Sequence, residues 1–413
     1  MGHPLTIGFL SFEFPVETGG GGIGTYLLQT LRVCPDDCRM VVIAGTRQPE
    51  PFWESDQVFR FPCSNWQEYN ERLPQHFDAL HAQLHFDLVE GTDFRAGGLP
   101  VRRSHPEIPF VVKLHTPSFL IDTLQYQPLS GWSRWRWTIS HWLRGRHQPQ
   151  PKGPQRAAYA DEFDILAAAD ALHATSKSIA TKLASLGMIT QAQAAAAPVF
   201  PYNYNLSAFL GIPDADMEQS PVVTFVGRKE IRKGVIEFAK VVDVLASEFP
   251  HVTFRFIGNA TAGLHAGETM DDHLRNLVGG FANVEISPAI PYDQVRTVYA
   301  TSSILVFPSH YESFGLVCAE AMAAGRAIIG SRRGGMADMI VHERDGLLID
   351  PFDHHAFTES VRRLITDINL RRTLGLQARS RAIDYFSPAN TIDRQMKLYR
   401  ELIHRHEQKS QSA

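Results

Sequence analysis

Residues 303–331 read SILVFPSHYESFGLVCAEAMAAGRAIIGS, and the order of apolar and polar residues in this stretch decides the fold. SILVFPS (303–309) is a short run rich in branched apolar residues, as expected of a strand buried on both faces. Gly315 then opens a helix and Gly325 stops it, after which AIIGS (327–331) forms a second buried run. Strand, helix and strand in succession imply a parallel pair joined by a helical crossover, the unit of an α/β sheet covered on both faces.

Working outward, the same alternation fills the second half of the chain. PVVTFVG (221–227), VTFRFIG (252–258) and NVEIS (283–287) read as strands, with a helix at 234–248. The first half repeats it with LTIGFLSF (5–12), MVVIAG (40–45), FDLVEG (86–91), PFVVKLH (109–115) and ALHATS (171–176), and with helical spacing at 23–33 and 70–84. Between the halves, residues 200–220 carry prolines and polar residues without periodicity, so a domain boundary is expected there. The expected units are 1–205 and 215–387. Each is a doubly wound α/β domain, and a chain of 413 residues agrees with two cores rather than one. Ser387-Pro388 has the chemistry of a helix start, a capping serine followed by proline in the first turn. Ile392, Met396, Tyr399 and Ile403 then share one helical face, and the polar residues 405–413 are expected to fray.

Composition narrows the function. With 44% hydrophobic and 20% charged residues the chain has the make-up of a soluble globular protein. A net charge of −4 gives no basic field for nucleic acid, so an anionic ligand must be met by local cations. The N-terminus lacks the charged region of a secretory signal, and Cys34, Cys38, Cys63 and Cys318 complete no zinc pattern. Ordinary reduced thiols in a cytoplasmic protein are expected. Residues 123–160 stand apart: Arg134, Arg136, Arg144, Arg146, Lys152 and Arg156 occur with no Asp or Glu, interleaved with Trp132, Trp135, Trp137 and Trp142. Three readings stay open for this segment. They are a peripheral contact with the inner membrane face through 130–146, a lid over an acceptor, and a helix that buries its tryptophans on the domain.

The candidate chemistry lies at the carboxyl ends of strands, where open α/β sheets bind ligands. The first amides of the helix opened by Gly315 lack intrahelical partners and suit a phosphate. Glu312 and Glu320 flank that helix start, and a carboxylate with two acceptor oxygens suits a vicinal diol. VGRKEIRKG (226–234) places Arg228 and Lys233 directly after the first strand of the second half, where a departing diphosphate could be compensated. In the first half, Gly19, Gly21 and Gly24 form a literal GxGxxG, but residues 12–18 separate it from the strand and no acid closes MVVIAG. That argues against a nicotinamide cofactor and for a glycine-rich loop that brings backbone close to a ligand in an interdomain cleft. His115 ends its strand at the same edge, as a structural or an active-site histidine. Glu90 and Asp93 could read acceptor hydroxyls or simply cap the turn that follows them.

Taken together, these residues resemble the retaining glycosyltransferases of family four, with the GT-B fold of two Rossmann-like domains facing a central cleft. The resemblance rests on GR-x4-KG (Gly227, Arg228, Lys233, Gly234), E-x7-E (Glu312 to Glu320), GGMAD, DGLLIDPFD, GGIGTY and the HT pair at His115. It is strongest over 221–353 and weakest over 46–85 and 119–165. It implies that a hexosyl group moves from a nucleotide-diphosphate sugar to a hydroxyl of a sugar, lipid-linked or small-molecule acceptor. Anomeric configuration is retained, and no metal or other cofactor takes part. Arg228 and Lys233 would hold the diphosphate, Glu320 the ribose, and Glu312 the transferred sugar. Ser313, Phe314, Gly315, Leu316 and Val317 would line the donor, with Gly21 and Gly22 approaching the phosphates from the other domain. His115 would stand beside the sugar and Ile290 beside the base, and the last helix, 388–413, would return to the first domain. Two residues depart from the pattern: Asp338 stands for a usual Glu, and Pro288 for a usual Gly. The base is left open among uridine, guanosine and adenosine. A phosphorylase, a nucleotide-sugar epimerase and a non-catalytic sugar-nucleotide scaffold remain as rival readings.

Overall fold

The computed structural model describes residues 4–15, 17–18, 21–126, 135, 153–213, 220–264, 267–291 and 294–412. The first half builds one sheet from β1 (Leu5–Leu10), β2 (Cys38–Thr46), β3 (Phe52–Ser55), β4 (Val58–Pro62), β5 (Leu88–Thr92), β6 (Phe110–Leu114) and β7 (Ala171–Ala174). Its order is β3-β4-β2-β1-β5-β6-β7, parallel except for the edge hairpin of β3 with β4. The second half builds an all-parallel sheet from β8 (Val222–Val226), β9 (Thr253–Ile257), β10 (Val284–Ser287), β11 (Ile304–Phe307), β12 (Ala327–Ser331) and β13 (Leu347–Ile349), in the order β10-β9-β8-β11-β12-β13.

The strand order reverses beside β1 in the first sheet and beside β8 in the second. In sheets wound this way the crossover helices leave a crevice outside the carboxyl ends of the central strands. β2, β6 and β12 are buried almost throughout, which is why they read as largely apolar runs, with Lys113 as the charged exception inside β6. The hairpin β3–β4 and the three-residue strand β13 are additions to the sequence reading. The hairpin places Arg60 fully inside, where it donates to the carbonyls of Gly45 (3.0 Å) and Pro15 (2.7 Å) and pairs with Glu54.

The end of the chain differs from expectation in two respects. Ser387 does stand at a helical start, but its hydroxyl caps nothing; Pro388–Asn390 form a separate 3-10 turn and Thr391 intervenes. The long helix then runs Ile392–Ser412, so the polar tail continues as helix instead of fraying. Ile392, Met396 and Tyr399 are buried as the spacing predicts.

That helix is tied to the first sheet by a buried polar network centred on Glu90. The Tyr26 hydroxyl donates to one Glu90 oxygen (2.8 Å) and the Tyr399 hydroxyl to the other (2.6 Å). Gln395 donates to both tyrosine hydroxyls and accepts from Asn203 at 2.6 Å. Lys113 lies fully buried on the next strand, 4.0 Å over the Tyr26 ring and 3.0 Å from His173 Nδ1. Burial pushes the Lys113 ammonium down to about 7, although Glu90 opposes the shift, and burial raises the Glu90 carboxyl.

A pH dependence follows. Above pH 7 the folded chain has lost the Lys113 proton that the unfolded chain keeps until about 10.5. Stability therefore rises with pH through that window, by up to ~1.4 kcal/mol per pH unit for this one proton. Urea unfolding at pH 7, 8 and 9 should show the rise in the wild type and a shallower profile in Lys113→Met. Identical slopes would show that Lys113 does not titrate there.

Candidate active site

The loops at the carboxyl edges of the two sheets enclose a cavity of about 730 Å³. From the second half it is lined by Arg228, Lys233, Glu312, Ser313, Phe314, Gly315, Leu316, Val317 and Glu320; from the first half by Gly21, Gly22 and His115. The sequence-predicted donor residues are thus brought together, with the exception of Ile290. That residue lies half-buried beyond β10 and is not among the described residues lining the cavity.

The local reasons are visible. Gly315 adopts φ +101°, a left-handed conformation that turns the chain into the Leu316–Ala323 helix and leaves the first amides of that helix at the cavity. Gly234 adopts φ +71°, and a Cβ there would meet the Pro308 carbonyl oxygen at 1.8 Å. The GR-x4-KG loop can press against the end of β11 only because its last residue has no side chain.

The two ends of that loop look alike in composition but differ in the structure. Lys229 turns inward, fully buried, against Asp271 (2.6 Å) and the Ser287 carbonyl (2.7 Å). Arg232 is also buried, against Glu230 (2.7 Å) and the Tyr311 carbonyl (3.1 Å). Arg228 stays 62% exposed, with a 3.3 Å contact to Glu230. Lys233 pairs with Glu312 at the cavity wall, where Arg232 also reaches Glu312 at 3.6 Å. Burial alone would raise the Glu312 carboxyl, but Lys233, Arg232 and Arg228 outweigh it and hold it below its usual range. Burial lowers the Lys233 ammonium against the opposing pull of Glu312.

Glu320 is almost fully buried and receives two phenols, Tyr204 on Oε1 and Tyr299 on Oε2 (2.7 Å). Burial raises its carboxyl, while the two tyrosines lower it. His115 is 5% exposed; its Nδ1 lies 2.7 Å from the Tyr202 hydroxyl, and its Nε2 meets no partner among the described residues. Burial, reinforced by Lys113, depresses the imidazole far below its ordinary range, so it is neutral at pH 7.

Glu90 and Asp93 are not among the described residues lining the cavity. Both oxygens of Glu90 serve the network around Tyr26 and Tyr399. Asp93 is buried and accepts from the His115 backbone amide at 2.9 Å, so it anchors the strand end that carries the histidine. Sequence reasoning also missed Glu13, Tyr202, Tyr204 and Tyr299, which line the cavity. Glu13 sits opposite Arg228; burial raises its carboxyl, partly offset by Trp66 and Arg228. The two halves touch beside the cavity through Thr116 to Ser313 Oγ (2.8 Å) and Ser176 to the Ser313 carbonyl (2.7 Å).

Of the arginine- and tryptophan-rich segment, residues 127–134 and 136–152 lie outside the described residues, and so does Gly19 of the glycine-rich loop. Trp135 is 54% exposed. Among the described residues no helix is long and apolar enough to cross a membrane, and no acidic, histidine or cysteine cluster of metal-binding form occurs. The four cysteines are unbridged.

Two Rossmann-like sheets that face a cleft across their carboxyl edges define the GT-B class. The match to known proteins agrees at the level of family. A model described as glycosyl transferases group 1 matches residues 214–381, and one described as a glycosyl transferase 4-like domain matches 21–199. The chain belongs to the glycosyltransferase family that these two domains define. A D-inositol 3-phosphate glycosyltransferase of Corynebacterium urealyticum is 28% identical over 201 residues, 48% of this chain and 46% of that protein. The chain thus spans about half the length of the curated relatives it matches. In fold it is similar to sucrose-phosphate synthase of Thermosynechococcus elongatus, with a TM-score of 0.69, 22% identity, and coverage of 97% of this chain and 99% of that one. It is also similar to Anabaena HepE in complex with UDP-glucose, with a TM-score of 0.64, 15% identity, and coverage of 99% and 100%.

Proposed function

We propose that the protein transfers a hexosyl group from a nucleotide-diphosphate sugar to an acceptor hydroxyl with retention of configuration. One observation carries the reading. Arg228, Lys233 and the free amides of the Leu316–Ala323 helix share one wall of the cavity, and His115 stands on the opposite half. Cations and helix amides together suit a diphosphate better than any neutral ligand. Glu320, below that helix start, is placed for the ribose, with its two tyrosines exchanging partners as the diol arrives.

In the reaction the bond from the anomeric carbon to the diphosphate oxygen breaks, and its electron pair stays on that oxygen. The acceptor oxygen bonds to the same face of the anomeric carbon, and its proton passes to the departing phosphate. Arg228, Lys233 and the helix amides stabilise the charge that develops there, and Glu312 orients Lys233 and the sugar hydroxyls. Closure of the two halves through the Ser313 contacts excludes water, the competing acceptor. The donor base and the acceptor are proposed only as classes: a nucleoside of any base the cavity accepts, and a sugar, lipid-linked or small-molecule hydroxyl.

A thermal-shift panel of nucleoside diphosphates and their sugars, followed by a transfer assay with those that bind, tests the reading. A true donor at 100 times its dissociation constant stabilises the fold by ~2.7 kcal/mol. The matching nucleoside without phosphates should give little shift. Phosphorolysis or epimerisation without transfer would favour the rival enzymes, and binding without turnover a scaffold.

A further inference from the structure

Tyr202 belongs to the segment that joins the two halves, and it touches both. Its hydroxyl lies 2.7 Å from His115 Nδ1, its ring stacks on the imidazole at 5.5 Å and 22°, and its edge meets Phe314 at 4.8 Å. The ring is buried, and so is His115. A neutral imidazole carries one proton, and the partner of one nitrogen decides which nitrogen holds it. Two arrangements are conceivable for a phenol beside Nδ1. A phenol is a far better proton donor than a neutral imidazole N–H, and the imidazole lone pair a better acceptor than a phenol oxygen, so the phenol donates. The histidine backbone is fixed independently by Asp93, 2.9 Å from its amide.

We propose that Tyr202 is a positioning residue that locks His115 in the tautomer with its proton on Nε2, so that the nitrogen left without a protein partner acts as a hydrogen-bond donor to an oxygen of the bound ligand. This rests on the glycosyl-transfer reading for the identity of that oxygen, but the tautomer itself does not. Tyr202 also packs on Phe314, next to the Gly315 helix start, so the lock couples the histidine of one half to the donor loop of the other. Among the described residues no other aromatic contact of His115 places a hydroxyl at a ring nitrogen: Tyr26 packs on the ring at 5.6 Å but gives its own hydroxyl to Glu90.

The test is long-range proton–nitrogen NMR of the full chain with 15N-labelled histidine at pH 7, the His115 signals being identified by their loss in His115→Gln. The wild type should show a pyrrole-type Nε2 and a pyridine-type Nδ1. Tyr202→Phe keeps the ring packing and removes the hydroxyl; it should shift His115 towards a mixture of tautomers. With a donor that is turned over, the same variant should lose roughly 10-fold in kcat with less than ~3-fold change in donor KM, as expected for one misoriented hydrogen bond that matters most in the transition state. A proton found on Nδ1 in the wild type would overturn the proposal, whatever the variant does. An unchanged tautomer in Tyr202→Phe would overturn it as well. If the nitrogen signals behave as stated but no nucleotide sugar is turned over, the positioning role stands and the glycosyl-transfer reading falls.

Discussion

Lys233→Ala is expected to lower kcat with the cognate donor by about 10²-fold or more, the loss typical of removing one preorganised contact to developing charge. Lys233 pairs with Glu312 at the cavity wall, on the loop that Gly234 presses against β11, so its ammonium is held in place before any donor arrives. A fixed cation of this kind costs little reorganisation as the diphosphate departs. Arg228 should matter differently. It is 62% exposed and pairs with Glu230 at 3.3 Å, so Arg228→Ala should weaken donor binding more than it slows the chemical step. Steady-state kinetics on both variants separates the two effects. A Lys233→Ala enzyme with wild-type kcat would remove the residue from the mechanism.

Glu90→Ala is expected to cost roughly 3–5 kcal/mol of stability, as breaking a buried ionic and hydrogen-bonded cluster from one side does. The change leaves the Tyr26 and Tyr399 hydroxyls without their acceptor and removes the carboxylate that offsets Lys113. Because Tyr399 sits on the C-terminal helix, the loss should also loosen that helix from the first sheet. Urea unfolding of the single variants and of Glu90→Ala/Lys113→Met measures the coupling; the double variant should lose less than the sum of the singles. A cost below ~1 kcal/mol for Glu90→Ala would show that the network does not hold the helix.

The architecture was legible because parallel strands buried on both faces are predominantly apolar, and β1, β2, β5, β6, β8, β9, β11 and β12 are so despite single polar residues such as Glu90 and Lys113. The hairpin β3–β4 was not: Phe52–Ser55 is a largely exposed four-residue edge, and β4 hides a charged residue, Arg60, at its centre. At the site, the spacing of Arg228, Lys233, Glu312 and Glu320 was readable, and the structure gathers all four around one cavity. Their neighbours were not readable. Composition does not say which cations of RKEIRK turn inward; the family pattern singled out Arg228 and Lys233, and the fold shows where Lys229 and Arg232 go instead. Tyr202 and Tyr204 lie in a stretch with no periodicity, where no local pattern marks a functional side chain. The partners of Glu90 were hidden for a related reason. A carboxylate at a strand end suggests the cleft, whereas this one is claimed by Tyr399, 309 residues further along the chain.

The central claim is that cations and helix amides of the second half grip a diphosphate in the cleft. A crystal structure of the protein with a bound nucleoside diphosphate tests it most directly. The account predicts phosphate oxygens within hydrogen-bonding distance of Lys233, Arg228 and the backbone amides at Leu316 and Val317, with Glu320 on the ribose. A diphosphate bound elsewhere, or one in the cleft with Arg228 and Lys233 turned away from it, would contradict the account.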